Sequence, residues 1–464
     1  MERRLCRRFR RCRRLAHGRN RKPAKRQSRS AACENRREES LRAYELGYAA
    51  GYAHGVMEGK RSFGAGFDGT SIIIPTYNRK DLLIECLNRI EAHTAAPYEV
   101  IVVDNGSDDG TADEVRRRRG PVRLAVHPQN SGFARAVNTG LMMAKGQTIA
   151  LLNNDVLVTE RWLDQLLGCL ELTGAAAVGP VTNYISGDQQ IDAPYEDVAE
   201  MPAFAASFNA PDPRKWREAS RLVGFCLLFP RTTLEQAGYF DEGYVIGNYE
   251  DDDWVARLLL QGKKMVIAGD TFVHHYGSLT MKGLGAQGFE QVNARNHDYF
   301  AEKWGDLHGL LRRIPESRAG HGQRAVDFFP THAYVKGWSD TVYWLEHGVR
   351  HPVSAALQEE AGNAPSPVRL SVIDLLQIPV GAPQTPAEPR AEKTAGLPEG
   401  GAVRSTDGRL YQIDRGRRRE VMSEYACRVW NLNVFPEIIP FQILQQYPAG
   451  LPITPPPRII SEDL

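Results

Sequence analysis

The chain has 464 residues, 42% hydrophobic and 25% charged, which suits a soluble globular protein with two or three domains and a large core. No run of 18 apolar residues occurs, and no basic N-terminal region is followed by a short apolar one, so neither a membrane span nor a secretion signal is expected. Seven scattered cysteines without a CxxC pair argue against a zinc site and for reduced thiols in a cytoplasmic setting.

The net charge of +2 hides an asymmetry. Residues 1–30 hold 14 Lys or Arg and one acid, Glu2, leaving 44 bases and 55 acids in the rest of the chain. A basic arm over residues 1–43 suits anionic lipid, nucleic acid or acidic proteins, and a solvated tail is the plain alternative. Nucleic-acid binding calls for aromatic residues among the bases; Phe9 stands alone in residues 1–30, so no specific nucleic-acid contact is expected. Peripheral attraction to the anionic inner face of a membrane is the cheaper role. Over residues 44–62, Gly47, Gly51, Gly55 and Gly59 recur in step with Tyr44, Tyr48 and Tyr52. On a helix this spacing makes one small ridge beside one aromatic ridge, a docking or self-association surface; a linker is the alternative.

Residues 68–315 alternate strand and helix patterns. Apolar runs at 71–74, 100–103, 122–126 and 148–152 read as strands buried on both faces. Between them, 79–94 carries Leu83, Cys86, Leu87 and Ile90 on one helical face, and 131–145 carries Phe133, Val137 and Leu141 in step. This order predicts βαβ units and a Rossmann-like, mainly parallel α/β sheet, with ligands at the carboxyl ends of the strands.

Beyond residue 330 the sequence repeats itself. Tyr343, Gly348, Arg350 and Val353 align with Tyr411, Gly416, Arg418 and Val421 at an offset of 68. Two small, mostly β modules are expected, at 330–383 and 401–455, each opening with a hairpin turned at a glycine. A Pro/Ala/Glu-rich linker at 384–400 separates them. Their role is structural, or else binding of a glycan, a partner or an acceptor.

Four strands in a row end in polar or glycine-rich segments: Pro75-Thr76-Tyr77-Asn78, Asp104 to Thr111, Asn130 to Asn138 through Gly132, and Asn153-Asn154-Asp155. One such end is ordinary turn chemistry; four on one rim are the makings of a polar pocket. There is no GxGxxG after the first strand and no P-loop, so neither dinucleotide nor P-loop chemistry is expected. Oxygen ligands of this kind suit Mg²⁺ or Mn²⁺ bridging to a diphosphate. Four acids, Glu250 to Asp253, open a further helix pattern, where mutual repulsion and partial burial would raise a pKa and make a general base. His274 and His275 follow another apolar strand and are candidate metal or phosphate ligands.

The ordered set SIIIPTYNR, EVIVVDNGSDDGT, NSGFARAVNTG, LLNNDV, VGFCLLFPR, GYFDE, YEDDDW and VHHYGS resembles the family-2 inverting glycosyltransferases of GT-A fold, nearest their rhamnosyl- and galactofuranosyl-transferase-like branch in bacteria. The resemblance covers roughly residues 70–310. It implies a nucleotide-diphospho-sugar donor (UDP- or dTDP-linked), a divalent metal, and a glycan, lipid-linked or protein acceptor. Pro75, Thr76, Tyr77 and Asn78 would line the nucleotide site, with Asp104 reading the base. Asn130, Gly132 and Asn138 would border nucleotide and sugar. Asn153-Asn154-Asp155 stands where the family has a metal-binding DxD; the first acid is absent, so Asp155 becomes the main metal ligand. His274 would be the second ligand, with His275 the close alternative. Asp251 would be the catalytic base and Glu250 the runner-up. Gly224 and Cys226 fit a small-residue strand beside the donor, though plain core is the favoured reading of Cys226. An inactive member that binds a sugar nucleotide or glycan without transferring it is the alternative reading, supported by the missing acid.

Overall fold

Ile72, Ile73 and Ile74 sit in the middle of strand β1 (Phe67–Thr76), each with no exposed surface. Successive side chains on a strand point to opposite faces. Ile73 therefore enters one hydrophobic core while Ile72 and Ile74 enter another on the far side of the sheet. This strand is the axis of a computed structural model that describes residues 66–277, 285–313, 322–354, 366–384, 397, 399–462 and 464. The basic arm, the Gly/Tyr-periodic stretch and most of the linker at 384–400 lie outside the described residues.

After β1 come α1 (Lys80–His93), β2 (Tyr98–Asp104), α2 (Thr111–Arg117), β3 (Val122–Val126), α3 (Phe133–Met143), β4 (Gly146–Leu152) and the two-residue β5 (Val156–Leu157). The chain continues through α4 (Trp162–Thr173), β6 (Ala177–Thr182), α5 (Met201–Phe208), β7 (Trp216–Glu218), β8 (Cys226–Pro230) and α6 (Arg231–Ala237). Then follow α7 (Glu250–Leu260), β9 (Met265–His275), α8 (Gly285–Trp304) and α9 (Leu307–Arg313). The strands form one sheet in the order β3-β2-β1-β4-β8-β6-β9-β5, with β7 beside β9. Following the pairings outward from β1, six of the nine strands run the same way; β5, β7 and β8 run opposite. The carboxyl ends of β1, β2 and β4 thus share one rim, which sets the location of a ligand site.

The duplicated segments form two four-stranded sheets. The first comprises β10 (Ala333–Lys336), β11 (Val342–Glu346), β12 (Val349–Pro352) and β13 (Val368–Arg369), followed by α10 (Val372–Gln377). The second comprises β14 (Ala402–Ser405), β15 (Leu410–Asp414), β16 (Arg417–Val421), α11 (Glu424–Val429), β17 (Val434–Ile439) and α12 (Phe441–Leu444). The sheet orders, β12-β11-β10-β13 and β16-β15-β14-β17, are the same, as are the pairing directions. Each hairpin turns on two residues of positive φ, His347-Gly348 (53° and 75°) and Arg415-Gly416 (51° and 67°). Two left-handed residues in a two-residue loop match the right-handed twist of the flanking strands. Among the described residues no helix is long and apolar enough to cross a membrane.

One buried cation ties the helices behind the sheet. Lys303 of α8 has no exposed surface, and its ammonium lies 2.5 Å from both Asp241 and Asp253. Trp304 donates its indole N–H to the same Asp253 at 2.8 Å. Burial pulls the Lys303 pKa down, but the two carboxylates outweigh it and the net shift is upward. Breaking a buried pair on one side leaves uncompensated charge. Lys303→Met is expected to lower stability by about 3–5 kcal/mol; chemical denaturation measures it, and a loss well under 1 kcal/mol would show that Asp241 and Asp253 do not need this cation.

Candidate active site

A cavity of about 600 Å³ opens at the carboxyl rim of β1, β2 and β4 and reaches across to the start of α7. Pro75, Thr76 and Tyr77 line it from β1, Asn153, Asn154 and Asp155 from the end of β4, and Asn130 from the segment before α3. Glu250 and Asp251 line it from α7, and His275 from the last position of β9.

The rim is braced by side chains that reach between loops. Asn154 Nδ2 donates to Thr76 Oγ1 at 2.8 Å, locking the end of β4 to the end of β1. Asn105 links β2 to the following loop: its Nδ2 donates to Asn130 Oδ1 and to the Gly132 carbonyl, both at 3.0 Å, while its Oδ1 accepts from the Ser131 N–H. Asn105 was not among the expected site residues, because between Asp104 and Gly106 it reads as one more turn residue. Gly132 (φ 91°) precedes α3, and the Phe133 N–H donates to the Ile246 carbonyl at 2.7 Å, joining this loop to the approach to α7.

Three expected residues have other duties. Asn138 is fully buried away from the cavity: its Nδ2 donates to the Phe240 carbonyl and to Glu242 Oε1, and its Oδ1 accepts from the Phe240 N–H. Its amide is filled by protein, so it does not border donor or sugar. Asn78 (φ 56°) points its Oδ1 at the Asp108 N–H and gives its own N–H to Ser107 Oγ, shaping the loop after β2 without lining the cavity. His274 does not line the cavity: its Nδ1 is 2.7 Å from the Tyr195 hydroxyl, and its Nε2 is buried without a hydrogen-bond partner. Burial and the neighbouring His275 lower its pKa to about 4.

His275 takes the place expected of His274. Its Nδ1 faces the Tyr184 carbonyl at 2.8 Å, an oxygen that can only accept, so Nδ1 carries the proton. In the neutral ring Nε2 then carries a lone pair, and it lies 3.3 Å from Asp155 Oδ1. This Nε2 is buried without a hydrogen-bond partner, as is Asn153 Oδ1 on the same wall. Two electron-rich atoms facing each other need a cation between them or a proton on Nε2. One carboxylate oxygen, one imidazole nitrogen and a nearby amide oxygen make a fitting donor set for a divalent ion.

Asp104 is fully buried at the tip of β2. Its Oδ1 accepts from the Ser107 N–H at 3.0 Å, while its Oδ2 has no partner. A buried, unpaired carboxylate oxygen costs free energy unless a ligand donor meets it.

The four acids of α7 occupy four environments. Asp253 belongs to the Lys303 pair. Asp252 meets Arg221, a cavity-lining residue, at 2.6 Å. Asp251 Oδ2 accepts the Gly224 N–H at 2.9 Å, and a Cβ at Gly224 would lie 3.3 Å from the Asp251 Cβ. Cys226, two residues on, is buried core. Glu250 Oε2 is buried without a partner. Burial, then repulsion from Asp252, pushes the Asp251 pKa up to about 6 against the opposing Gly224 bond and Arg221 charge. Burial and the Asp251 charge hold Glu250 well above the usual carboxylate range. Arg221, Tyr184 and Gln190 reach the cavity from the segment between β6 and β8. That segment has no periodicity that would have singled them out in sequence.

Residues 71–236 match the family described as Glycosyl transferase family 2. Glycosyltransferase AglE of Haloferax volcanii is 33% identical over 221 residues, 46% of this chain and 69% of that protein. Glycosyltransferase GlyG of Streptococcus pneumoniae is 30% identical over 26% of this chain and 40% of its own length. Among solved structures, mannosyltransferase PcManGT from Pyrobaculum calidifontis, in complex with GDP-Man and Mn²⁺, is similar over 50% of this chain and 65% of that one, with 23% identity and a TM-score of 0.36. The chain thus spans just over two thirds of AglE, 65% of PcManGT and 40% of GlyG.

The raised Asp251 pKa has a consequence for stability that needs no substrate. Between about pH 4 and pH 6 the folded state keeps a proton on Asp251 that the unfolded chain has released, so stability falls as pH rises through that window. Asp251→Asn removes the buried charge but keeps an acceptor for Gly224. Its melting temperature is expected to exceed that of the wild type at pH 7.5, with the gap closing below pH 4. Thermal unfolding across that range checks it, and a variant less stable at pH 7.5 would refute it.

Proposed function

The chain is a member of glycosyltransferase family 2, with the GT-A fold, and on that premise we propose that it transfers a sugar from a nucleoside-diphospho-sugar to a hydroxyl of a glycan, lipid-linked or protein acceptor, with inversion. The observation that carries the reading is the shared cavity: Asp251, poised near neutrality, lines the same space as the Asp155–His275 pair.

Asp251 is the base. Burial and like charge raise both Glu250 and Asp251, and Asp251, whose Oδ2 is fixed by the Gly224 N–H at the cavity wall, is the one assigned to accept the proton. Asp251 takes the proton of the acceptor hydroxyl as that oxygen attacks the anomeric carbon from the face opposite the diphosphate. The bond from the anomeric carbon to the diphosphate oxygen breaks, and the nucleoside diphosphate leaves with that electron pair. Asp155 and His275 would hold a divalent ion, Mg²⁺ or Mn²⁺, which supplies positive charge to the leaving diphosphate. Pro75, Thr76 and Tyr77 form the wall against which the nucleoside rests. Asp104 does not itself line the cavity but adjoins Asn105, which does, and its unpaired Oδ2 would accept from a base N–H or a ribose hydroxyl. The arm at residues 1–43 is assigned to the anionic inner face of a membrane, where lipid-linked acceptors would reside.

Purified protein should release nucleoside diphosphate slowly from one member of a panel of UDP-, dTDP- and GDP-sugars with Mn²⁺ or Mg²⁺, and not with chelator. No release and no binding across the panel, from folded protein, would sink the reading. Asp251→Asn is expected to lower kcat by roughly 10²–10⁴-fold with donor affinity nearly unchanged. Asp155→Ala and His275→Ala should each abolish the metal-dependent part of nucleoside-diphosphate binding, while His274→Ala retains it. Calorimetric titration with and without metal separates the two histidines, and loss of metal dependence in His274→Ala alone would reverse the assignment.

A further inference from the structure

Between the two β-modules lies a second cavity, of about 310 Å³, remote in sequence from every residue of the first. One wall is aromatic. Tyr334 of β10 and Trp344 of β11 are direct cross-strand partners, with ring centroids 4.8 Å apart. His332 stacks on Trp344 at 5.3 Å and 25°. The second module supplies Phe435 of β17, together with Glu399, Asn431 and Asn433.

The floor is glycine backbone. A Cβ at Gly400 would lie 1.7 Å from His332 Nδ1, and one at Gly401 would lie 1.8 Å from Phe435 Cε2. The rings therefore rest directly on the chain, a fit that any side chain at either glycine would destroy. His332 and Asn431 both adopt left-handed backbone, φ 57° and 51°, conformations that cost free energy and concentrate where a site is being shaped.

Several polar groups here have no hydrogen-bond partner among the described residues. The Trp344 indole N–H, the Tyr334 hydroxyl and the Asn433 side-chain amide make no hydrogen bond among the described residues. Glu399 accepts the Arg415 N–H through Oε1, leaving Oε2 available. Among the described residues no Lys or Arg lines the cavity, which disfavours a phosphate or nucleotide. A purely apolar occupant would cover these donors without satisfying them.

We propose that this cleft is a second, non-catalytic saccharide-binding site that holds a neutral pyranose ring against Trp344 and Tyr334. A pyranose has one face of C–H groups, which packs on aromatic rings, and a girdle of hydroxyls, which needs donors and acceptors at its edge. Asn433, Glu399 and the Tyr334 hydroxyl provide that edge. The volume sits at the low end of small-molecule pockets, about 300–1,000 Å³, as befits one short segment of a glycan. Holding an acceptor glycan on the same chain as the catalytic cavity raises its effective concentration there. Binding at this cleft does not depend on the transferase reading.

The test uses the full chain without donor or metal, and a panel of methyl glycosides of glucose, galactose, mannose, rhamnose and N-acetylglucosamine, read by saturation-transfer difference NMR. At least one should give a signal. Trp344→Ala and, independently, Asn433→Ala should weaken its affinity by about tenfold or more, equivalent to about 1.4 kcal/mol. Asp155→Ala should leave it intact, and donor hydrolysis by Trp344→Ala should match the wild type. Asn433 is exposed, so its variant reports even if Trp344→Ala fails to fold. Absence of signal from the whole panel overturns the proposal. So does binding that survives Asn433→Ala, or binding lost in Asp155→Ala, which would assign the sugar to the catalytic cavity.

Discussion

Four carboxylates on consecutive residues cannot share the first turn of a largely buried helix unless each is compensated differently. The structure distributes them. Lys303 neutralises Asp253 from behind, Arg221 meets Asp252 at the cavity, and the backbone N–H groups of Gly224 and Asp252 meet Asp251. Glu250 is left with an unpaired buried oxygen. Lys303 is shared by Asp253 and Asp241, while burial and the Asp252 charge hold Asp251 above the ordinary carboxylate range. Lys303 lies on α8, which begins at Gly285, 35 residues after α7 opens at Glu250.

The approach to that helix is held under strain. Ile246, Asn248 and Tyr249 all have positive φ, 63°, 77° and 73°, immediately before Glu250. Such residues persist only where the surroundings over-determine them. Asn296 of α8 does this: its Nδ2 lies 3.0, 2.8 and 3.1 Å from the carbonyls of Val245, Gly247 and Asn248, and its Oδ1 accepts the Val245 N–H. One helix, α8, therefore supplies the charge for α7, the clamp on its entry, and two cavity-lining residues, Phe289 and Asn293.

The parallel half of the sheet was legible because strands buried on both faces read as unbroken apolar runs: Ile72–Ile74 and Val100–Val103 have no other comfortable environment. The module hairpins were legible because His347-Gly348 and Arg415-Gly416 sit between alternating strands. The choice between His274 and His275 was not. In β9 the pairing with β6 jumps from Pro180–Ala268 to Val181–Phe272, so three residues, 269–271, have no partner there. An odd number of extra residues flips which side chains face which side, and nothing in the local sequence fixes that number. Asn138 failed for a related reason: it sits at the right distance from Asn130 for a pocket, but its partners are at 240–242, more than 100 residues on. Asn105 and Arg221 were missed because their roles arise from loops meeting in space.

The C-terminal modules are fastened to the same framework. Glu242 accepts the backbone N–H groups of Ile460 and Ser461 at 2.6 and 2.7 Å, and its other oxygen takes Asn138. Ile459 and Leu464 join the hydrophobic core on the α3 side of the sheet, and Arg369 of the first module donates to the Ser461 carbonyl. On the other side, Ser423 of the second module donates to the Lys303 carbonyl at 2.8 Å, and Tyr425 meets Tyr299 at 3.0 Å. The second module therefore touches the helix whose Lys303 pairs with Asp253, and the tail beyond it touches the loop that Asn138 braces. A load on the cleft between the modules has a short, packed route to both, and it reaches Asp251 only through a second position of α8, since coupling requires an element with two arrangements rather than mere contact.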